Sequence, residues 1–258
     1  MGPQVSPVVS TINSIETIVG GSMSVKSDDI TSRISDILAE PWVIEDGQVV
    51  PKTENVSQKN GGKRLEATYL YADLADSTLL AKTYVPEFTA RVMRMYLRAA
   101  VDAIRFKEGH IRSFDGDRVM GIFIGPRRRN NAVEAALHIN WAVSEVINPQ
   151  LEKHLKNSKT TWSLSHRVGI DDGKTLIVRG GARDNSDLIS IGTAPNVAAK
   201  LSGIRKEPGT ITITDRVYSR LNQKNKLMGE KPVWKNAVDR QVGPHTIKTY
   251  STSGWRKP

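Results

Sequence analysis

The chain contains no cysteine. Disulfides, thiolate nucleophiles and cysteine-based zinc sites are therefore excluded. No apolar run approaches the roughly 20 residues that a membrane-spanning helix requires. The N-terminus lacks a charged stretch followed by an apolar one, so it does not read as a secretory signal. Met1 to Ser6 fits the N-myristoylation pattern, but a pattern that loose arises often by chance. A cytoplasmic protein without a membrane partner is the expectation. Aromatic residues are sparse, at 6%, and none interleave with basic residues as in a single-strand nucleic-acid platform. No nucleic-acid partner is expected.

What is present is ordinary for a soluble globular chain: 38% apolar and 25% charged residues. A length of 258 residues suits one large domain, or a domain with a short extension. The charge is not ordinary. A formal +10 attracts polyanions, whether nucleic acid, anionic lipid or nucleoside triphosphate, and does not choose among them. The densest run, Arg127-Arg128-Arg129, has a solvated loop as its commoner meaning.

Residues 1–24 carry little periodicity and read as a mobile start. Residues 27–39 space Ile30, Ile34, Ile37 and Leu38 as a short amphipathic helix would. Pro41 to Val50 reads as a small hairpin around Glu45-Asp46-Gly47, and 58–63 as a linker. Residues 1–62 are thus expected as an extension and 63–258 as the main domain. From 65 the pattern is regular: a strand over 65–73, then a helix over about 86–107. That helix has Pro86 in its first turn and an apolar stripe through Phe88, Val92, Met95, Ala99, Ala103 and Phe106. Strands at 110–114 and 117–124 flank a turn. Asn131 could cap the next helix, with Glu134 closing a capping box, and Asn148-Pro149 stops it. A strand over 162–170 ends at Asp171-Asp172-Gly173. Strands near 174–178 and 187–191, a helix over about 194–206, a strand over 210–214, a short helix near 215–222 and a strand pair within 233–251 complete the chain. The order β-α-β-β-α-β predicts an α+β, ferredoxin-like core.

Two aspartates stand out. Asp73 ends the apolar run from Leu65, and Asp117 follows Asp115-Gly116, the strongest short hairpin signal. If their strands are neighbours the carboxylates converge into a hard-oxygen site for Mg²⁺ or Mn²⁺. By spacing alone, two solvated turn residues are the commoner meaning, because aspartate is common in turns.

Five ordered motifs resemble the class III nucleotide cyclases. They are Tyr71-Ala72-Asp73-Leu74; Glu108-Gly109 through Gly116-Asp117 to Phe123; Arg167 to Gly173; Ile191 to Leu201; and Gly209 to Leu221 with Thr246 to Tyr250. The resemblance implies two divalent metals (Mn²⁺ or Mg²⁺) on Asp73, Asp117 and the Leu74 carbonyl. It implies a triphosphate cradle over 75–78, including Ser77. Asn196 would orient the ribose, and Lys200 would stand where the family usually has arginine. Lys248, and more loosely Arg129, would take phosphates. It also implies a homodimer with composite sites, since metal and transition-state motifs meet across an interface.

The base-reading positions are Ser113 and Thr193, neither of the purine-reading pairs. Short hydroxyls donate and accept but have little reach. Tyr69 and Tyr71 share a strand face with Asp73 and could shrink the pocket; core packing is their alternative. This combination resembles the pyrimidine cyclases of the bacterial Pycsar antiphage systems. Such enzymes make cyclic UMP or cyclic CMP, which activates a separate effector. UTP is the expected substrate, with CTP next. A purine cyclase and a non-catalytic nucleotide-binding module are the alternatives.

Overall fold

The computed structural model describes residues 27–156, 162–182, 184–205 and 209–258; the expected mobile start, 1–24, lies outside them. The chain divides into two compact units, Met1–Glu40 and Pro41–Pro258. In the first, helix α1 (Ser27–Ala39) has Asp28 and Asp29 in its first turn, where carboxylates favour the helix dipole. Its Ile30, Ile34, Ile37 and Leu38 are exposed.

The second unit is built on a sheet that contains nine strands among the described residues, in the order β10-β11-β7-β5-β2-β4-β3, with β1 also on β2 and β6 also on β5. The strands are β1 Val43–Asp46, β2 Gly61–Leu74, β3 His110–Asp115, β4 Arg118–Phe123, β5 His166–Ala182, β6 Asn185–Ile191, β7 Ile211–Thr214, β10 Val238–Val242 and β11 His245–Thr252; β8 Leu227–Met228 and β9 Lys231–Pro232 form a separate pair. The helices are α2 Ser77–Thr83, α3 Pro86–Phe106, α4 Arg128–Trp141, α5 Asn148–Leu155, α6 Thr193–Ser202, α7 Asp215–Tyr218 and α8 Gln223–Lys226. The strands β5-β2-β4-β3 with α3 to α5 are the expected ferredoxin-like core. β2 is antiparallel to both β4 and β5, so the first strand and the Asp-Gly hairpin are neighbours.

Side-chain alternation on β2 divides the core between two faces. Leu70, Ala72 and Leu74 pack with Val92, Tyr96, Ile104, Leu137 and Ile139 of the long helices. Ala67 and Tyr69 pack with Met120, Ile122, Ala194 and Ala198. Burying each large aliphatic side chain contributes about 1.5–3 kcal/mol. α6 lies directly on β5: a Cβ at Gly169 would stand 2.1 Å from the Ala198 carbonyl oxygen. Only glycine permits that approach.

Several expectations are corrected. The 41–50 hairpin does not form; β1 instead pairs in parallel with β2 at Gly61 to Arg64, held by Lys63 on Glu45 and Arg64 on Asp46. The 58–63 linker overlaps the start of β2, where Gly62 pairs with Val178, and the boundary expected after residue 62 falls inside that strand. Asn131 is no cap: α4 starts at Arg128, and Asn131 Nδ2 donates to Glu108 at 3.1 Å. Asn148-Pro149 does not stop the helix. A π-helical stretch, Ala142–Ile147, leads into α5, whose first turn tolerates proline.

Asp171-Asp172-Gly173 does not end the strand either. It lies inside β5, with Asp171 across from Tyr69 and Asp172 across from Thr68. Both aspartates are buried, which costs dearly without partners. Asp172 accepts from Arg128 Nε at 2.8 Å, Arg129 Nη2 at 2.6 Å and Thr68 Oγ1 at 2.6 Å. Asp171 accepts from Thr214 Oγ1 at 2.6 Å and from Arg216. The cations that pair with these carboxylates come from α4 and α7, far away in sequence.

Candidate active site

Asp73 lies at the end of β2, directly across from Arg118 of β4. Asp117 precedes Arg118, in a two-residue turn whose first residue, Gly116, has φ of +60°. That left-handed conformation is what glycine supplies. The two carboxylates are close enough to interact: burial pushes the Asp73 carboxyl above its ordinary value, Arg205 opposes this, and the Asp117 charge raises it further. Arg205 Nη2 donates to Asp73 Oδ2 at 2.6 Å. Asp117 Oδ2 is buried and has no hydrogen-bond partner. On the helix side of this corner, the Tyr96 hydroxyl and His166 Nε2 are also buried and unpartnered. Burial raises the Tyr96 pKa well above its usual value, and both aspartates add to the shift. Burial depresses His166 to about 3.

This donor set fits a hard divalent cation. An unpaired buried carboxylate oxygen beside a second carboxylate is short of positive charge. Among the described residues no group of three or more His, Cys, Asp and Glu gathers into a cage. Two carboxylates with the remaining positions left to water and phosphate is how Mg²⁺ is usually held.

The expected substrate residues fall into three groups. Thr193, Asn196 and Lys200 lie along α6, all exposed, with Lys200 one turn beyond Asn196. Thr193 and Lys248 line one cavity of about 400 Å³, with Val197, Thr214, Arg216 and Ile247. Ser113 is across from Met120, whose packing with Ala194 and Ala198 puts Ser113 on the α6 face of the sheet. Among the described residues, neither Asn196 nor Lys200 hydrogen-bonds or ion-pairs with Asp73 or Asp117.

Nearer the aspartates, Leu74 ends β2 and Ser77 opens α2, with Asp76 between them at φ of +59°. Tyr71 is half-buried, and the Arg118 guanidinium lies 5.5 Å from its ring centroid. Two residues are placed otherwise than expected. Tyr69 is fully buried, and its hydroxyl is hydrogen-bonded to Thr175 at 3.0 Å, so it packs in the core. Arg129, expected at a phosphate, pairs with Asp172, because that buried carboxylate needs it. Arg205, Arg216 and Arg167, which sits directly across from Asp73, were not expected at the site. No local pattern marks them, since each reaches it only through tertiary pairing.

No protein-family model matches the chain. It is 37% identical over 235 residues to a uridylate cyclase of Rhodovulum sp. (strain MB263), covering 90% of this chain and 98% of that relative. It is 34% identical to a uridylate cyclase of Xanthomonas perforans, covering 89% and 96%. Its fold is similar to that of the adenylyl cyclase CyaB from P. aeruginosa (TM-score 0.62, 21% identity, 76% of this chain and 97% of that one). It is also similar to the guanylyl cyclase Cya2 (TM-score 0.60, 18% identity, 76% and 96%).

Proposed function

The chain belongs to the uridylate cyclase family, built on the class III nucleotide cyclase fold, and on that premise we propose that it converts UTP to 3′,5′-cyclic UMP and pyrophosphate. The ribose 3′-oxygen attacks the α-phosphorus, and the bond to the β-phosphate oxygen breaks. The observation that carries this reading is the Asp73–Asp117 pair, one of whose buried oxygens has no partner.

In this reading Asp73, Asp117 and the Leu74 carbonyl hold two divalent cations, Mg²⁺ or Mn²⁺. The chemistry such cations supply when bound is a lowered pKa at the 3′-hydroxyl and neutralised charge on the leaving pyrophosphate. The chain's own groups position the rest. Asn196 orients the ribose. Lys200 supplies positive charge to the transition state as a point charge, without the planar fork of an arginine. Lys248 and the loop at Ser77 take phosphates. Ser113 and Thr193 face the base, and Tyr71 narrows the pocket so that a purine is rejected.

In this reading the enzyme is a homodimer with two composite sites, Asp73 and Asp117 from one subunit and Asn196 and Lys200 from the other; the exposure of Asn196 and Lys200 leaves them accessible to a partner. A cytoplasmic enzyme whose product signals to a separate effector in antiphage defence is the setting that this family suggests. The test is direct. Incubate the pure protein with equal ATP, GTP, CTP and UTP plus Mn²⁺, and identify the products by mass. Cyclic UMP should dominate; cyclic AMP or cyclic GMP in its place overturns the pyrimidine reading.

A further inference from the structure

Ser113 and Thr193 leave a problem of specificity. A hydroxyl carries one donor and two acceptor sites and rotates freely, so it serves uracil or cytosine equally well. The cavity at the first turn of α6 contains a group that does not rotate. Arg216, in α7, donates from Nε to Asp171 Oδ1 at 3.2 Å and from Nη2 to Asp171 Oδ2. The Asp171 carboxylate is fully buried, and Thr214 Oγ1 donates to it as well, at 2.6 Å. A two-point grip by a buried, doubly anchored carboxylate fixes the plane of the guanidinium. The third nitrogen, Nη1, turns toward α6 and donates to Thr193 Oγ1 at 3.3 Å. The Arg216 side chain is 46% exposed and lines the same cavity as Thr193 and Lys248. One Nη1 hydrogen is committed to Thr193, which leaves a second donor on that nitrogen in a side chain that lines the cavity.

We propose that Arg216 is the residue that selects the pyrimidine, by donating from its fixed Nη1 edge to the O4 carbonyl of uracil while Thr193 Oγ1 meets the neighbouring N3–H. This rests on the reading of Thr193 as the base end of the site. A guanidinium has donors and no acceptor. Uracil offers a carbonyl at position 4; cytosine offers an amino group there, a donor against a donor. Both groups would then lose their partners, and sites built to pair with one edge reject an analogue that leaves them unpaired. The Thr193 oxygen has two acceptor positions, one taken by Arg216 and the other free for N3–H. Facing cytosine, the hydroxyl could turn to donate to N3, but the anchored cation could not change its sign. Of the side chains in the cavity, Arg216 alone joins a fixed plane to a donor-only edge.

The test compares kcat/KM for UTP with that for CTP in wild type, R216K and R216Q. A ratio measured within one sample is insensitive to the fraction of correctly folded protein. Wild type should favour UTP. R216Q should reduce the UTP:CTP ratio at least about tenfold, because UTP loses the donor to its O4 carbonyl and CTP is no longer penalised by an unpaired cationic edge. R216K keeps the charge beside Asp171 but loses the fork, and should fall between. If a variant binds without turnover, the affinities for 3′-deoxy-UTP and 3′-deoxy-CTP give the same ratio by calorimetry. If R216Q does not fold, R216K, which leaves Asp171 paired, carries the test. A UTP:CTP ratio within about twofold of wild type in a folded variant overturns the proposal, as does a wild type that prefers CTP. Wild type that makes cyclic AMP or cyclic GMP instead overturns the function from which the proposal starts, and the two failures are distinguishable.

Discussion

Arg205 Nη2 stands 2.6 Å from Asp73 Oδ2, so a protein cation already neutralises one side of the aspartate pair. The other side, Asp117 Oδ2, is unmet. A divalent cation entering this corner gains the unmet oxygen and competes with the guanidinium for the met one. Arg205→Ala should therefore tighten Mn²⁺ binding in the absence of nucleotide. A partly exposed charge contact of this kind is worth up to about 1 kcal/mol, or roughly fivefold in affinity. Electron paramagnetic resonance titration of free Mn²⁺ reads this directly. Weaker binding in the variant would mean that Arg205 supports the site rather than competes for it.

Asp117 has the opposite character. Its one buried oxygen, Oδ2, has no hydrogen-bond partner, and a buried polar atom without a partner is a cost to the fold. Asp117→Ala should leave the melting temperature unchanged or raise it, while abolishing cyclic UMP formation even in saturating Mn²⁺. Such a residue is kept for function against stability. Retained turnover in a folded D117A protein contradicts its assignment to the metal.

Two buried histidines set the acid limit of the fold. Burial depresses His138 from 6.5 to about 4 and His166 from 6.5 to about 3. In the unfolded chain both take a proton below about pH 6.5. Between there and the folded values, the unfolded state binds more protons, so stability is lost as the pH falls. The loss is about 1.4 kcal/mol per histidine per pH unit. Urea unfolding at pH 6.5 and at pH 5 should show it, and His138→Asn should lose about half as much as wild type. Equal losses in the two proteins would place the acid sensitivity elsewhere.

What the sequence made legible follows from how locally each feature is encoded. The Asp-Gly hairpin and the alternation of Leu70, Ala72 and Leu74 are properties of a few adjacent residues, and both form, with the turn at Gly116-Asp117; the α3 stripe is rotated from the expected one, since Thr89, Val92, Tyr96, Ala100, Ala103 and Ile104 are buried while Phe106 is exposed. The aspartates are neighbours because the strand order follows from the order of elements. What failed depended on partners distant in the chain. Asp171-Asp172-Gly173 reads as a strand end until Arg128, Arg129 and Arg216 are seen to neutralise it inside a strand. Gly61-Gly62 reads as a linker until β1 and β5 pair with it. Arg205 and Arg216 have no local signature, and only the folded chain brings them to Asp73 and Thr193.

The most direct test of the whole account is complementation. Asp73→Ala removes the cation-holding half-site, and Asn196→Ala the α6 half-site; each variant alone should make no cyclic UMP from UTP. Mixed in equal amounts and allowed to exchange subunits, half of the dimers become mixed, and each mixed dimer regains one intact site of two. Cyclic UMP formation should then return to about a quarter of the wild-type rate, as two-fold symmetry requires. No recovery from two folded, exchanging variants contradicts a site shared between subunits and places Asp73 and Asn196 within one chain's own machinery.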